Sequence, residues 1–130
     1  MKLRLNEHAV RLRFRKSEVL ELSETGRVSV TLTFPVGTPI TFRAAASPVS
    51  SLRVSFSGGV IEVLIPSDLA RNWHSSNEVG IYGNHGGVEV LLEKDFRRSA
   101  APSPDDADRY PNPRRMAAES AGSVVSPELS

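Results

Sequence analysis

Residues 52–65 read LRVSFSGGVIEVLI, and this stretch decides the fold class. Apolar and polar side chains alternate on both sides of Gly58-Gly59. Successive side chains of a strand point to opposite faces of a sheet, and glycine supplies the positive φ angles that tight hairpin loops need. The stretch therefore predicts a β-hairpin with one apolar face.

The same alternation extends from this hairpin in both directions. It recurs in five further stretches, whose apolar residues are Leu3/Leu5, Val10/Leu12/Phe14, Val28/Val30/Leu32/Phe34, Ile40/Phe42/Ala44 and Val88/Val90/Leu92. Residues 78–82 are predicted to pair with the last of these in a second hairpin, because glycines lie between the two.

Two short segments carry helical signals instead. Ser17 is a candidate N-cap and Gly26 a candidate stop for one helix of about two turns. Pro66 suits the first position of a second helix, in which Leu69 and Trp73 share one face. We predict a single core built on Phe14, Phe42, Phe56 and Trp73.

These patterns predict a mainly β domain over residues 1–96. The expected architecture is an antiparallel barrel or strongly curved sheet of about eight strands, with the two short helices at its ends. Residues 97–130 hold five prolines and few large apolar side chains. Such a composition cannot offset the entropy of ordering the chain, so this tail is predicted to be disordered, with residues 105–113 as a candidate docked segment.

Composition limits the class of protein. The chain has 130 residues, no cysteine and a net charge of +1. Without cysteine there are no disulfides and no thiol nucleophiles. No apolar run approaches the roughly 20 residues of a membrane helix, and Arg11, Arg13 and Arg15 interrupt any signal-peptide core, so we expect a cytoplasmic protein.

Basic residues concentrate near the start of the chain. Five of them fall on the polar phase of the first two predicted strands and form what we call the basic stripe: Lys2, Arg4, Arg11, Arg13 and Arg15. One interpretation is a contact surface for an acidic protein or an anionic ligand. The other is a solvated face whose arginines pair across strands with Glu62, Glu89 or Glu93. Nucleic acid is disfavoured, because single-strand binders need aromatic side chains among the basic ones.

The densest acidic residues lie in the tail. They are Asp105, Asp106 and Asp108, followed by Tyr110. Their charge is opposite to that of the basic stripe, and an extended tether of roughly ten residues spans about 30 Å. This complementarity suggests the hypothesis that the tail segment docks on the hairpin predicted for the first two strands, near Arg11 and Arg13.

Signals for catalysis and for metal binding are weak. His8, His74 and His85 are scattered in or beside predicted turns, so we expect no metal site and no cofactor. Residues 93–95, Glu-Lys-Asp, end the last predicted strand. They are either an acid/base pair or, by the more common pattern, a solvated exit from the sheet.

Several short motifs are shared with one group of proteins. They are RLRFRKSEV at 11–19, TGRV at 25–28, ARNW at 70–73, EVGI at 78–81, EKDF at 93–96 and YPNP at 110–113. Over residues 1–113 the chain resembles a family of small uncharacterised bacterial proteins. The resemblance implies a shared fold and a bacterial setting, but no function. Its pattern often has a cysteine two places after Phe96, where this chain has Arg98, so the position implies no catalytic role here.

Function is therefore expected at the level of class. We expect a non-enzymatic binding or interaction module, with the basic stripe and the acidic tail residues as contact surfaces. The alternative is a small-molecule-binding barrel or a small enzyme, with a pocket at the barrel mouth lined by Trp73, Tyr82 and His85.

Overall fold

A computed structural model describes residues 1–96 and 108–110. The described elements, in chain order, are β1 (Lys2–Leu5), β2 (Ala9–Phe14), α1 (Lys16–Thr25), β3 (Arg27–Leu32), β4 (Ile40–Ser47), β5 (Arg53–Ser57), β6 (Val60–Pro66), α2 (Ser67–Trp73), β7 (Gly80–His85) and β8 (Val88–Lys94). The predicted mainly β fold with eight strands and two helices is confirmed. The predicted disordered tail lies outside the described residues, apart from 108–110.

The described strands form two four-stranded sheets that do not close into a barrel. Sheet A has the order β1-β2-β8-β7, and sheet B has the order β3-β4-β6-β5. The central pair of each sheet is parallel, β2 with β8 and β4 with β6, while the outer pairs are antiparallel. The predicted antiparallel barrel is therefore wrong. A period of two determines which face a residue occupies, but it does not determine which strand lies next to it.

The topology divides the chain into two halves with the same order of elements. Residues 2–47 and residues 53–94 each run strand, strand, helix, strand, strand. Sheet A combines the first hairpin of the first half with the last hairpin of the second half, and sheet B combines the other two hairpins. The halves thus exchange hairpins in a twofold topological relation, and α1 packs against α2.

This equivalence extends to single residues. Leu12 of β2 pairs with Leu92 of β8, and at the corresponding place in sheet B Val63 of β6 pairs with Ala44 of β4. All four side chains are buried in one hydrophobic cluster. The pairing registers therefore allow the two sheets to be compared position by position.

The helices contribute equivalent residues to this core. α1 buries Val19 and Leu22, and α2 buries Ala70 and Trp73, with the same spacing of three residues. The Trp73 ring meets the Phe14 ring edge to face, with centroids 5.3 Å apart. Since edge-to-face pairs are favourable beyond their buried area, this contact fixes α2 against β2.

The core prediction is confirmed for Phe14, Phe42 and Trp73 and wrong for Phe56, which is 67% exposed. Phe56 has the apolar phase of its strand, but β5 is an edge strand of sheet B and leaves that side chain in solvent. Leu69 is exposed as well, because α2 turns Ala70 rather than Leu69 inward with its tryptophan.

The helix ends also differ in part from the expectation. Pro66 is the N-cap of α2 and the last residue of β6, not the first helical residue. In α1 the N-cap is Arg15 rather than Ser17, and the Glu18 carboxylate accepts the Arg15 N–H at 2.8 Å. Gly26 stops α1 as predicted, with a φ of 79° that residues bearing a Cβ rarely adopt.

We predict that Phe14→Ala lowers the free energy of unfolding by about 3–5 kcal/mol, because it leaves a cavity beside Trp73. The matched control is Phe56→Ala, which should change stability by no more than about 0.5 kcal/mol since the side chain is in solvent. Denaturant unfolding followed by tryptophan fluorescence measures both variants. Equal losses would contradict this assignment of the core.

Candidate functional site: buried charges beneath the basic stripe

The last strand ends in three buried charges, which we call the charge cluster. Glu93, Lys94 and Asp95 are 1%, 5% and 4% exposed, so the predicted solvated exit from the sheet is wrong. Because side chains alternate, Glu93 and Asp95 face the outer side of sheet A, and Lys94 faces the core side. Buried charges cost several kcal/mol unless they are paired, so the partners of these three residues define the site.

Glu93 lies beneath the basic stripe. The Nε atoms of Arg11 and Arg13 are 3.2 and 4.0 Å from its Oε1, and the two arginine side chains are only 15% and 20% exposed. Tyr82 donates its hydroxyl to Oε2 of Glu93 at 3.1 Å. The parallel register of β2 and β8 brings these groups together by pairing Arg13 with Glu93.

Tyr82 reaches Glu93 by lying across Gly80. A Cβ at position 80 would be 2.5 Å from the Tyr82 hydroxyl oxygen and 2.7 Å from the Leu92 carbonyl oxygen. Any side chain there would therefore displace the phenol from the carboxylate. Burial, followed by the charge of Glu93, raises the pKa of Tyr82 to about 12, because a phenolate would be poorly solvated and repelled.

Asp95 connects β1 to residues 108–110, which we call the anchor segment. Lys2 Nζ and Arg109 Nε are 3.1 and 3.3 Å from its Oδ2. The main-chain carbonyl of Asp95 accepts the Tyr110 N–H at 2.8 Å. One carboxylate thus holds both the first strand of sheet A and the anchor segment.

Lys94 occupies the core side of the charge cluster. Its Nζ donates to the Ser76 carbonyl at 2.8 Å. The same atom lies 5.0 Å from the Tyr110 ring centroid and 5.9 Å from that of Trp73. Burial lowers the pKa of Lys94, and the negative charge of Glu78 partly opposes this shift. The two ring faces also favour the charged ammonium group.

Asp108 binds the start of α1. Its carboxylate accepts the Ser17 N–H at 2.9 Å and the Ser17 hydroxyl at 2.5 Å. Burial alone would raise the pKa of Asp108, but these hydrogen bonds and the charges of Arg15 and Lys16 outweigh it and lower the pKa. The hydrogen bonds of Asp108 thus go to the helix, not to the guanidinium groups over Glu93. The other two aspartates of the docking hypothesis, Asp105 and Asp106, lie outside the described residues.

The three residues of the alternative pocket have separate roles. Trp73 is buried, and its Nε1–H donates to the Glu78 carbonyl at 3.0 Å. Tyr82 and His85 are three residues apart in β7, so they point to opposite faces of sheet A. His85 Nδ1 accepts the Val54 N–H of β5 at 2.9 Å and ties the two sheets together. The described strands form no closed barrel whose mouth these residues would line.

Sheet B carries no such charges at the equivalent positions. Residues 45–47, Ala-Ala-Ser, take the places of the charge cluster, and Leu64 takes that of Arg13. An open groove lies at this position of sheet B, with Ser29 and Ala45 among its lining residues, where sheet A is filled by Tyr82 and Glu93. Packing of this fold therefore does not require the charge cluster.

Metal ligands do not gather in residues 1–96 and 108–110, where no three His, Cys, Asp or Glu side chains come within coordinating reach of one another. In the same part of the chain, neither helix combines the length and the apolar character needed to cross a membrane.

The sequence model of a family of unknown function, DUF7009, matches residues 1–114. The chain belongs to this family. The predicted resemblance to a family without an established function is thus confirmed. The match extends past both sheets to the anchor segment. The residues that contact Asp95 and Ser17 therefore lie within the matched region. No curated protein and no solved structure matches the chain significantly.

Replacing Glu93 tests the buried end of the site. We predict that Glu93→Gln lowers the free energy of unfolding by about 3–5 kcal/mol, because it removes a buried countercharge from Arg11 and Arg13. The matched control is Glu62→Gln. Glu62 pairs with Arg43 at 2.7 Å with side chains 25% and 28% exposed, and its loss should cost at most about 1 kcal/mol. Denaturant unfolding that gave equal losses would contradict a special role for burial at Glu93.

Tyrosine ionisation provides a pH test. Tyr82 and Tyr110 both have a pKa raised to about 12 in the folded chain, against 10.0 for an unperturbed phenol. The stability that this shift represents is complete below pH 10 and is lost as the pH rises toward 12, since the unfolded chain releases its phenolic protons first. Ultraviolet absorbance should show tyrosinate forming near pH 12, with half of the signal missing in Tyr82→Phe. Native titration near pH 10 is the contrary outcome.

Proposed function

We propose that this protein is a non-enzymatic binding module of the bacterial cytoplasm, and that it contacts an acidic partner protein through the basic stripe on the outer face of sheet A. The observation that carries the proposal is the pairing of β1 with β2. In that register Lys2 lies opposite Arg13, and Arg4 lies opposite Arg11. Two alternate rungs, both on the outer face, therefore set cation against cation.

Such rungs reduce the stability of a sheet. Like charges directly opposite each other are destabilising, in contrast to the opposite charges that usually stabilise cross-strand pairs. The equivalent rungs of sheet B pair Arg53 with Leu64 and Ser55 with Glu62, so neither sets like charges opposite each other. Sheet B thus forms without like charges opposite each other at these positions. This difference supports a binding function for the cations of sheet A.

Arg4 is the member of the basic stripe best placed to meet a partner. Glu93 and Asp95 lie against the side chains of Lys2, Arg11 and Arg13 and fix them in position. Arg4 is exposed, and no ion pair joins it to any residue in the described ranges 1–96 and 108–110. A carboxylate of a partner at Arg4 would therefore add a pair without breaking one.

The tail forms part of the same proposal. We treat residues 1–96 as the domain and 97–130 as a tail that returns to it at the anchor segment. Asp108 and Tyr110 hold this segment at Ser17 and Lys94, at the end of sheet A where Arg15 lies. An acidic partner would then bind the stripe beside Asp108, whose charge limits how far the partner extends along sheet A.

Binding of fluorescent poly-L-glutamate to the full chain tests the proposal. We expect binding at about 0.1 M salt that is lost at about 1 M, because the Debye length falls from about 10 to about 3 Å. Arg4→Glu should weaken binding by about three- to tenfold, as expected for one exposed charge contact. Fluorescence anisotropy measures both effects.

The matched control for this experiment is Arg53→Glu. Arg53 is exposed on sheet B at the position equivalent to Lys2, and the substitution changes net charge by the same amount. It should leave the affinity unchanged. Equal weakening by the two variants would mean that net charge alone attracts the polymer, and absence of binding at low salt would rule out the stripe as a contact surface.

A further inference from the structure

The edge of sheet A indicates how an acidic partner is held. We infer that the partner binds as an extended segment that adds a strand to β1, with acidic and apolar residues alternating along it. This inference rests on the proposed function and specifies the partner's conformation and residue pattern. Strand addition supplies affinity through main-chain hydrogen bonds and specificity through alternate side chains.

The edges of the two sheets are not equivalent. β7 and β5 are edge strands that meet, and the His85 side chain of β7 accepts the Val54 N–H of β5 at 2.9 Å. The register places Leu32 of β3 where sheet A has His85, and Leu3 of β1 where sheet B has Val54. Leucine cannot form the hydrogen bond that histidine forms. A side-chain hydrogen bond therefore joins β7 to β5, whereas the equivalent positions of β3 and β1 both carry leucine.

The residues of β1 define what an added strand must present. Lys2 and Arg4 lie on the outer face, and Leu3 and Leu5 lie on the other. Leu5 is 52% exposed, although it has the apolar phase of its strand. Alternate residues of a strand are about 6.8 Å apart, so acidic side chains at alternate positions would meet Lys2 and Arg4 together. The intervening positions would place apolar side chains beside the two leucines.

Charge excludes a second copy of this chain as the occupant of the edge. Lysine and arginine on an edge strand protect it from pairing with itself, since two copies would set their cations against each other. The same charges attract an acidic strand. β3 is also an edge strand, but its outer face carries Arg27, Ser29 and Thr31, which present one charge instead of two. β1 is therefore the edge selected for an acidic segment.

The experiment compares two peptides of about eight residues, a length typical of strands, with the same content of Glu and Val. One alternates Glu and Val, and the other has all Glu before all Val. With the full chain we expect the alternating peptide to bind at least about tenfold tighter, because only it can pair along the edge and satisfy both faces. Amide hydrogen exchange followed by NMR should slow in β1 and stay unchanged in β3, the internal control.

A second pair of peptides tests the hydrogen bonds themselves. Both are the alternating peptide with an N-methyl group on every second residue, and the two differ in which set of residues is methylated. Charge and side chains are kept, while each peptide lacks the N–H donors of one of its two edges. At least one version should bind more weakly than the parent, since the strand direction that the parent adopts places one of the two edges against β1. Arg4→Glu should weaken binding of the alternating peptide and leave amide hydrogen exchange in β3 unchanged.

The outcomes separate this inference from the proposed function. If both Glu/Val peptides bind equally without protection of β1, or if the protected amides lie in β3, strand addition at β1 is wrong and the stripe still binds acidic chains. If both N-methylated peptides bind as well as the parent, strand addition is wrong too. If poly-L-glutamate itself does not bind, the proposed function fails, and the inference fails with it.

Discussion

The parallel pairing of β2 with β8 is the contact on which the rest of the structure depends. It joins residues 9–14 to residues 89–94 and so connects the first hairpin of the chain to the last. One register sets Leu12 beside Leu92 in the core and Arg13 beside Glu93 on the outer face. A shift by one residue would exchange these faces, so one register determines both which residues enter the core and which arginines lie over Glu93. The contact is also long range, so the chain must close a large loop before this pairing stabilises it.

The charge cluster is an addition to this framework, not a part of it. Sheet B performs the same packing with Ala45 and Ala46 where sheet A has Glu93 and Lys94. Removing charges from water is compensated here by several partners at once, among them the guanidinium groups, the Tyr82 hydroxyl and the anchor segment. Asp95 links these contacts, since its carboxylate is shared by a residue of β1 and a residue of the anchor segment. A ligand that draws Lys2 outward would therefore leave the buried carboxylate of Asp95 to Arg109.

Local patterns were sufficient for the parts of the fold that depend on neighbours in sequence. The two-residue period assigned Phe14 and Phe42 to the core, and glycine positions marked the hairpins and the end of α1. Pairing between distant strands has no local signal, which is why the parallel pairs were not predicted. The burial of Glu93 follows from that omission. Its polar phase and its pairing with arginines of the basic stripe were correct, but its burial was not predicted, because those arginines lie on a strand at the other end of the domain. Phe56 shows the opposite failure. Its apolar phase gives the face of the sheet on which it lies, but does not indicate whether a second layer of structure covers that face.

The exchange of hairpins between the halves has a consequence for the assembly of the protein. Neither residues 2–47 nor residues 53–94 can complete a four-stranded sheet alone, because each sheet takes one hairpin from each half. The surfaces that the halves offer each other are the same whether they belong to one molecule or to two. Intramolecular pairing is favoured by the short link at residues 48–52, which keeps the effective concentration of the second half high. That link is thus the hinge at which domain swapping would begin: straightening it would let the first half of one molecule pair with the second half of another, with the strand pairing of both sheets preserved.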